Sequence, residues 1–301
     1  MPKTNVEPPV FSIQRPNQII EISVPMVKNS QWQQWAFFCG DQHFDSTHCD
    51  RQLLTRDFEK CIERQAIIFS VGDWYDVMCG RHDPRGTKSE LRPEYLKSDY
   101  FASITEDSSN FLKRYAKNIA VMIHGNHETS CIKNNEYDIT RATVNLTNAH
   151  AKSKIMAGEY EEFVRLSFVP PKNNKCKEMK YSKMIYMYHG SGGAAPVTGG
   201  VIDNQRTAEY VRSDFIHMGH THTTYVDART YWEPTNKGNI LEKTQHFLRT
   251  GSYKKSREPG TTTWETVKNI KPKRRGGIWV RFFYETACPQ GLRFEIVLPD
   301  S

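Results

Sequence analysis

Five short apolar runs in this chain end in Gly together with Asp, Asn or His: WAFFCGDQH at 35–43, AIIFSVGDWYD at 66–76, IAVMIHGNHE at 119–128, MIYMYHG at 184–190 and FIHMGHTH at 215–222. They deliver Asp41 and His43, Asp73 and Asp76, Asn126 and His127, His189, and finally His220 and His222. One histidine after a strand is ordinary packing or surface decoration. Five apolar runs that end this way point to a common centre. Imidazole nitrogens with carboxylate and amide oxygens suit borderline divalent ions such as manganese, iron, nickel or zinc better than calcium. Two such cations about 4 Å apart can share a bridging carboxylate and acidify a bridging water, which is hydrolytic chemistry.

Such a centre needs strands that carry the loops to one edge. Each run is short and apolar enough for a buried strand, and helical patterns separate them. Asp50 is expected to cap a helix whose Leu54, Phe58, Cys61 and Ile62 form an apolar face. Further helices are expected around Phe101 to Lys117 and over Asp138 to Ala157. Glu162 to Val169 is expected as a strand, and Phe247 to Tyr253, Gly277 to Tyr284 and Leu292 to Leu298 alternate like antiparallel strands. Strand, loop and helix in repetition imply an α/β layered fold with a mixed or two-sheet core and ligands at the carboxyl ends of strands. Residues 1–30, interrupted by Pro8, Pro9, Pro16 and Pro25, read as an N-terminal arm or edge strand, and 31–301 as a single domain.

Composition narrows the class. A chain of 301 residues with 38% hydrophobic residues can bury a proper core. No stretch reads as a signal peptide or membrane span, so a cytoplasmic protein is expected. Seven scattered cysteines without a CxxC pair fit neither a disulfide scaffold nor a thiolate zinc cluster. Residues 241–285 hold eleven Lys/Arg against four Glu, which accounts for the whole net charge of +7. Such an excess serves either as a site for a polyanion such as nucleic acid, with Tyr253, Trp264 and Trp279 nearby, or as an ordinary solvated face.

Taken in order, GDQH, GDWYD, GNHE, HG and GHTH closely resemble the motifs of the calcineurin-like metallophosphoesterase superfamily. The resemblance implies a fold of two packed mixed β-sheets flanked by helices, in αββα layers. It implies Asp41, His43 and His222 as ligands of a first metal, Asp73 as the bridge, and Asn126, His189 and His220 as ligands of a second. His127 then resembles the family's non-ligand histidine, a general acid or electrostatic partner at the leaving-group oxygen, with Glu128 orienting it. Asp76 is expected outside the metal shell as a support for its loop, and His124 as a core or supporting residue. His48, His82, His150, His217 and His246 carry no spacing that sets them apart.

The branch of that superfamily follows from departures. Serine/threonine protein phosphatases carry Arg directly after the second Asp of GDxVDRG, whereas Val77 follows Asp76 here and the next arginine is Arg81. GHTH is closer to the phosphodiesterase, nuclease and small-molecule pyrophosphatase branches. The expected activity is hydrolysis of a nucleotide, nucleic acid or related phosphodiester with two divalent ions, manganese first among them. A protein phosphatase, a phosphomonoesterase and a non-catalytic nucleic-acid-binding module are the alternatives. Asn126, Arg81, Lys133 and Arg141 are candidate substrate contacts, the last three from the segments Arg81 to Arg92 and Thr129 to Arg141. The glycine-rich Gly190 to Gly200 lacks the Lys-Ser/Thr ending of a phosphate-cradling loop.

Overall fold

The computed structural model describes residues 7–77, 90–170, 181–192, 200–255, 257, 264–267, 269, 271–287 and 291–298. Thirteen strands form two sheets among these residues. The strands are β1 (Ser12–Gln14), β2 (Ile20–Pro25), β3 (Gln33–Cys39), β4 (Ile67–Ser70), β5 (Ile119–Met122), β6 (Met156–Ala157) and β7 (Glu161–Val169). They continue with β8 (Tyr181–Tyr188), β9 (Phe215–Met218), β10 (Tyr225–Pro234), β11 (Ile240–Arg249), β12 (Ile278–Tyr284) and β13 (Leu292–Val297). One sheet runs β1-β2-β7-β8-β9-β11-β10 and the other β13-β12-β3-β4-β5-β6. Five longer helices connect them: α1 (Arg51–Glu63), α2 (Tyr100–Leu112), α3 (Asn126–Asn135), α4 (Ile139–Ala151) and α5 (Val201–Tyr210).

Strand alternation divides the apolar residues between layers. In β3, Phe37 turns toward α1, whose Leu54, Phe58 and Cys61 share its cluster with Ile104 and Leu112 of α2 and Val144 of α4. Its neighbour Phe38 turns the other way, into a cluster with Phe69, Val121, Leu166, Ile185 and Phe215 drawn from both sheets. Outside the larger sheet, Ala208 of α5 packs with Tyr186, Ile216 and Phe247. The result is two mixed sheets flanked by helices, an αββα arrangement matching the calcineurin-like architecture.

The layers bring the loop-bearing ends together. β3, β4 and β5 are parallel neighbours in one sheet, and β8 and β9 are parallel neighbours in the other. Their carboxyl ends therefore open on one edge of the sandwich. Asp50 caps α1 as expected, accepting from the Leu53 backbone N–H at 3.0 Å.

Several expectations change in detail. The N-terminal segment contributes β1 at the sheet's edge and β2, which pairs with β1 and with β7 and buries Ile20, Ile22 and Val24. The helix expected to Ala157 stops at Ala151, and Met156–Ala157 instead extend the sheet beside β5. The strand expected over Phe247 to Tyr253 begins earlier and ends at Arg249, paired with β10 at ten positions of a hairpin. Among the described residues no helix is long and apolar enough to cross a membrane. Cys39, Cys49, Cys61 and Cys131 are buried free thiols; Cys79, Cys176 and Cys288 lie outside the described residues.

Candidate metal centre

The five loops interlock before any ion is considered. Asp41 N–H donates to the Gly72 carbonyl at 2.9 Å, His43 N–H to the Asp73 carbonyl at 3.1 Å, and Gly219 N–H to the His189 carbonyl at 3.0 Å. The Asp41 carboxylate accepts the His220 N–H on both oxygens at 3.0 Å. The Asp73 carboxylate accepts the His127 N–H at 3.0 Å. These approaches require glycine at two points: a Cβ on Gly125 would overlap the Asp73 carboxylate, and one on Gly219 would overlap that of Asp41.

Two groups of side chains result. Asp41, His43 and His222 bring one ligand atom each within 4.8 Å of the others, and so do Asp73, His189 and His220. Asn126 joins the second group, its Oδ1 lying 3.0 Å from His189 Nε2 and 2.7 Å from His220 Nδ1. Asp73 belongs to the second group, and the charges of His189, His127 and His43 all act on it. A third set, His43, Asp76 and His127, also meets the 4.8 Å limit. It is better explained as support, because Asp76 Oδ1 accepts from His43 Nδ1 at 2.6 Å while its carboxylate also takes Lys254 Nζ at 3.2 Å.

The outer partners decide which imidazole nitrogen faces inward. His43 gives Nδ1–H to Asp76, which leaves Nε2 beside His222 Nε2 at 3.1 Å. His189 gives Nδ1–H to the Val71 carbonyl at 2.6 Å and turns Nε2 to Asp73 Oδ2 at 3.1 Å. His220 is reversed: Nε2–H goes to the Gly192 carbonyl at 2.7 Å and Nδ1 faces Asn126. The opposite ring nitrogens thus converge from histidines fixed on their far sides. Imidazole and carboxylate donors in this arrangement fit divalent ions of the zinc or manganese type.

Electrostatics agrees with that donor set. Burial would raise the Asp73 carboxyl, but His189 and His127 hold it well below the usual range. Burial would lower His189, but Asp73 wins and holds it at about 9. The buried carboxylates thus create a field that favours positive charge at the cluster.

His127 differs from the ligand candidates. Its Nδ1–H donates to the Asp76 carbonyl at 2.6 Å, and its Nε2 lies 3.7 Å from Asp73 Oδ2, at the border of the cluster. The expectation that Glu128 orients His127 is corrected. The Glu128 carboxylate accepts the backbone N–H groups of Asp73 at 3.0 Å, Tyr75 at 3.0 Å and Gly125 at 2.8 Å, so it clamps two loops together. Adjacent helix residues point in different directions, which separates Glu128 from its neighbour's ring.

The remaining candidates scatter. Arg81 lies outside the described residues, as does His82. Lys133 is exposed on α3. Arg141 binds Asp138 at 3.0 Å and Glu159 at 2.9 Å. His124 is a supporting residue, bound to Asp138 at 2.9 Å. The basic segment 241–285 is not one patch: Lys243 pairs with Glu233, Arg281 with Glu295, and Arg249 is fully buried. Trp279 and Tyr253 are core residues, only 3% and 0% exposed, so neither offers a face for stacking; the Trp264 side chain lies outside the described residues.

Sequence reading missed four supports. Asp45 accepts the backbone N–H groups of Asp76 at 2.6 Å and Val77 at 3.0 Å; its place two residues after His43 was the available signal. Arg249 donates to Thr221 Oγ1 at 3.0 Å, between the two histidines of GHTH. Lys254 and Lys273 reach Asp76 and the Thr221 carbonyl, respectively, across sequence distances that no local pattern encodes.

No family model and no curated protein matches this chain. The fold and the clusters are consistent with the calcineurin-like metallophosphoesterase superfamily. Together they support a metal-dependent phosphoesterase.

Proposed function

We propose that this chain is a dinuclear metal-dependent phosphodiesterase. The observation that carries the reading is the set of inward-facing donors from Asp41, His43, His222, Asp73, Asn126, His189 and His220, with the three best-defined histidines each anchored through the opposite ring nitrogen. Asp41, His43 and His222 would hold one ion, Asn126, His189 and His220 the other, and Asp73 would touch both. Two divalent ions held there, manganese by preference, supply charge neutralisation at the phosphoryl oxygens and lower the pKa of water.

The chain's own residues do the rest. His127 Nδ1–H is fixed on the Asp76 carbonyl, so Nε2 is the atom that delivers a proton to the departing alkoxide. Glu128 and Asp45 keep the Asp73 and Asp76 loops rigid, which holds His127 Nε2 in register with Asp73. Val77 after Asp76, in place of the protein-phosphatase arginine, and the GHTH spacing favour a diester over a phosphoprotein.

The test is hydrolysis by metal-free protein reconstituted in turn with manganese, iron, nickel and zinc. Bis-p-nitrophenyl phosphate, its monoester, single-stranded DNA and cyclic nucleotides are the substrates. Diester hydrolysis that disappears with metal in Asp73→Asn, and falls about 100-fold or more in His127→Ala with metal content retained, is expected. Silence on every diester would sink the reading.

A further inference from the structure

One side of the cluster carries cationic residues. Two separate stretches of the basic segment meet beside Asp41 and His222. Lys255 N–H donates to the His48 carbonyl at 2.7 Å, and Gly276 N–H to the Ser252 carbonyl at 3.2 Å, while Ser252 Oγ donates to the Asp41 carbonyl at 2.8 Å. Thr224 Oγ1, just beyond GHTH, donates to the Arg274 carbonyl at 3.1 Å. Gly251 lets these loops touch, since a Cβ there would overlap the Arg274 carbonyl. The loop 271–275 is therefore packed onto the motif that ends in His222.

Lys273 is its inward member. The Nζ donates to the Thr221 carbonyl at 2.7 Å, and the charge is close enough to act on the His222 ring. Arg274, next to it, is exposed. On the far side the turn before β7 places Tyr160 against His189, ring centres 5.6 Å apart, and there Glu159 is paired with Arg141 at 2.9 Å. An anionic arm extending from the cluster over His222 meets the positive charge of Lys273 and Arg274.

We propose that Lys273, with Arg274, forms a subsite for a second phosphate of the substrate, one linkage away from the phosphate held at the cluster on its His222 side. This rests on the phosphodiesterase reading and narrows it to esters bearing an additional phosphate. A nucleoside bisphosphate ester and a nucleic-acid strand present the same chemistry. The ammonium supplies a point charge to that phosphate, and the backbone contact to Thr221 holds it beside the motif.

The metal-loaded full chain is assayed on the p-nitrophenyl ester of thymidine 5′-phosphate, on the same ester carrying a 3′-phosphate, and on single-stranded DNA. The added phosphate is expected to raise kcat/KM about tenfold at low salt, with the advantage shrinking as sodium chloride is added. Lys273→Gln should remove most of that ratio and Lys273→Arg keep it, each compared within its own variant so that general loss of activity cancels. Cleavage of DNA with the same salt and Lys273 dependence assigns the phosphate to a strand; a gain confined to the mononucleotide assigns it to a nucleotide. Equal kcat/KM with and without the 3′-phosphate, or a ratio unchanged in Lys273→Gln, overturns the subsite alone. No hydrolysis of any ester, including bis-p-nitrophenyl phosphate, overturns the phosphodiesterase reading and the subsite with it.

Discussion

At the scale of single residues, the site is a set of proton assignments made by groups that face away from it. Among the described residues, five of the ten non-glycine positions with positive φ are Asp41, His43, Asp73, His220 and His222. Each such conformation costs about 1–3 kcal/mol, less for Asp, and persists only where the surroundings over-determine it. Sequence showed the residue types but not the anchors, because a carbonyl such as Val71 or Gly192 has no side-chain signature. Asp76 is the anchor most open to test. Its carboxylate fixes His43 Nδ1–H, and Asp76→Asn keeps an acceptor but loses the charge that Lys254 also meets. The variant should fold, bind the ion on the His43 side about 10–100-fold more weakly, and recover activity in excess metal. Metal titration followed by activity and by calorimetry checks this; an unchanged affinity would remove Asp76 from the support of His43.

The elements were legible where burial left a pattern. β3, β4, β5, β8 and β9 are apolar runs because both faces pack, and α1 and α2 show their cores at helical spacing. α3 was not read, since only Glu128 and Cys131 of NHETSCIKNN are buried and no apolar stripe forms. β10 escaped for the opposite reason: most of it projects into solvent and both faces are polar or mixed, with Trp232 74% exposed. The element ends, however, carry the tightest constraint. Gly125 has an ordinary extended backbone, so Gly125→Ala is acceptable in φ but drives a methyl into the Asp73 carboxylate. The loop must give way at a cost of about 1–3 kcal/mol. Gly125→Ala should therefore keep a cooperative thermal transition at a somewhat lower Tm while losing at least one ion per chain by elemental analysis. Full metal occupancy in this variant would show that the β5 loop is free to move without disturbing Asp73.

Across the whole molecule, the sandwich that brings the loops together also buries a histidine with no hydrogen-bond partner among the described residues. His217 of β9 is fully enclosed, its ring edge-on to Phe38 at 5.1 Å, and among the described residues neither nitrogen has a hydrogen bond. The alternation of FIHM places it on the same face as Phe215, toward the other sheet, where sequence alone would have put an apolar residue. Burial lowers its pKa from 6.5 to about 3. A histidine whose folded pKa is depressed stays neutral while the unfolded chain takes up a proton. Stability is therefore lost as pH falls below about 6.5, by about 2 kcal/mol at about pH 5. His217→Phe removes both the unpartnered nitrogens and this linkage. In metal-free protein, urea unfolding should find the variant at least as stable as wild type near neutral pH, and its relative advantage should grow by about 2 kcal/mol at about pH 5. An advantage independent of pH would mean that His217 titrates alike in both states. The acid sensitivity of the sandwich would then belong to the carboxylates and histidines of the metal-site edge.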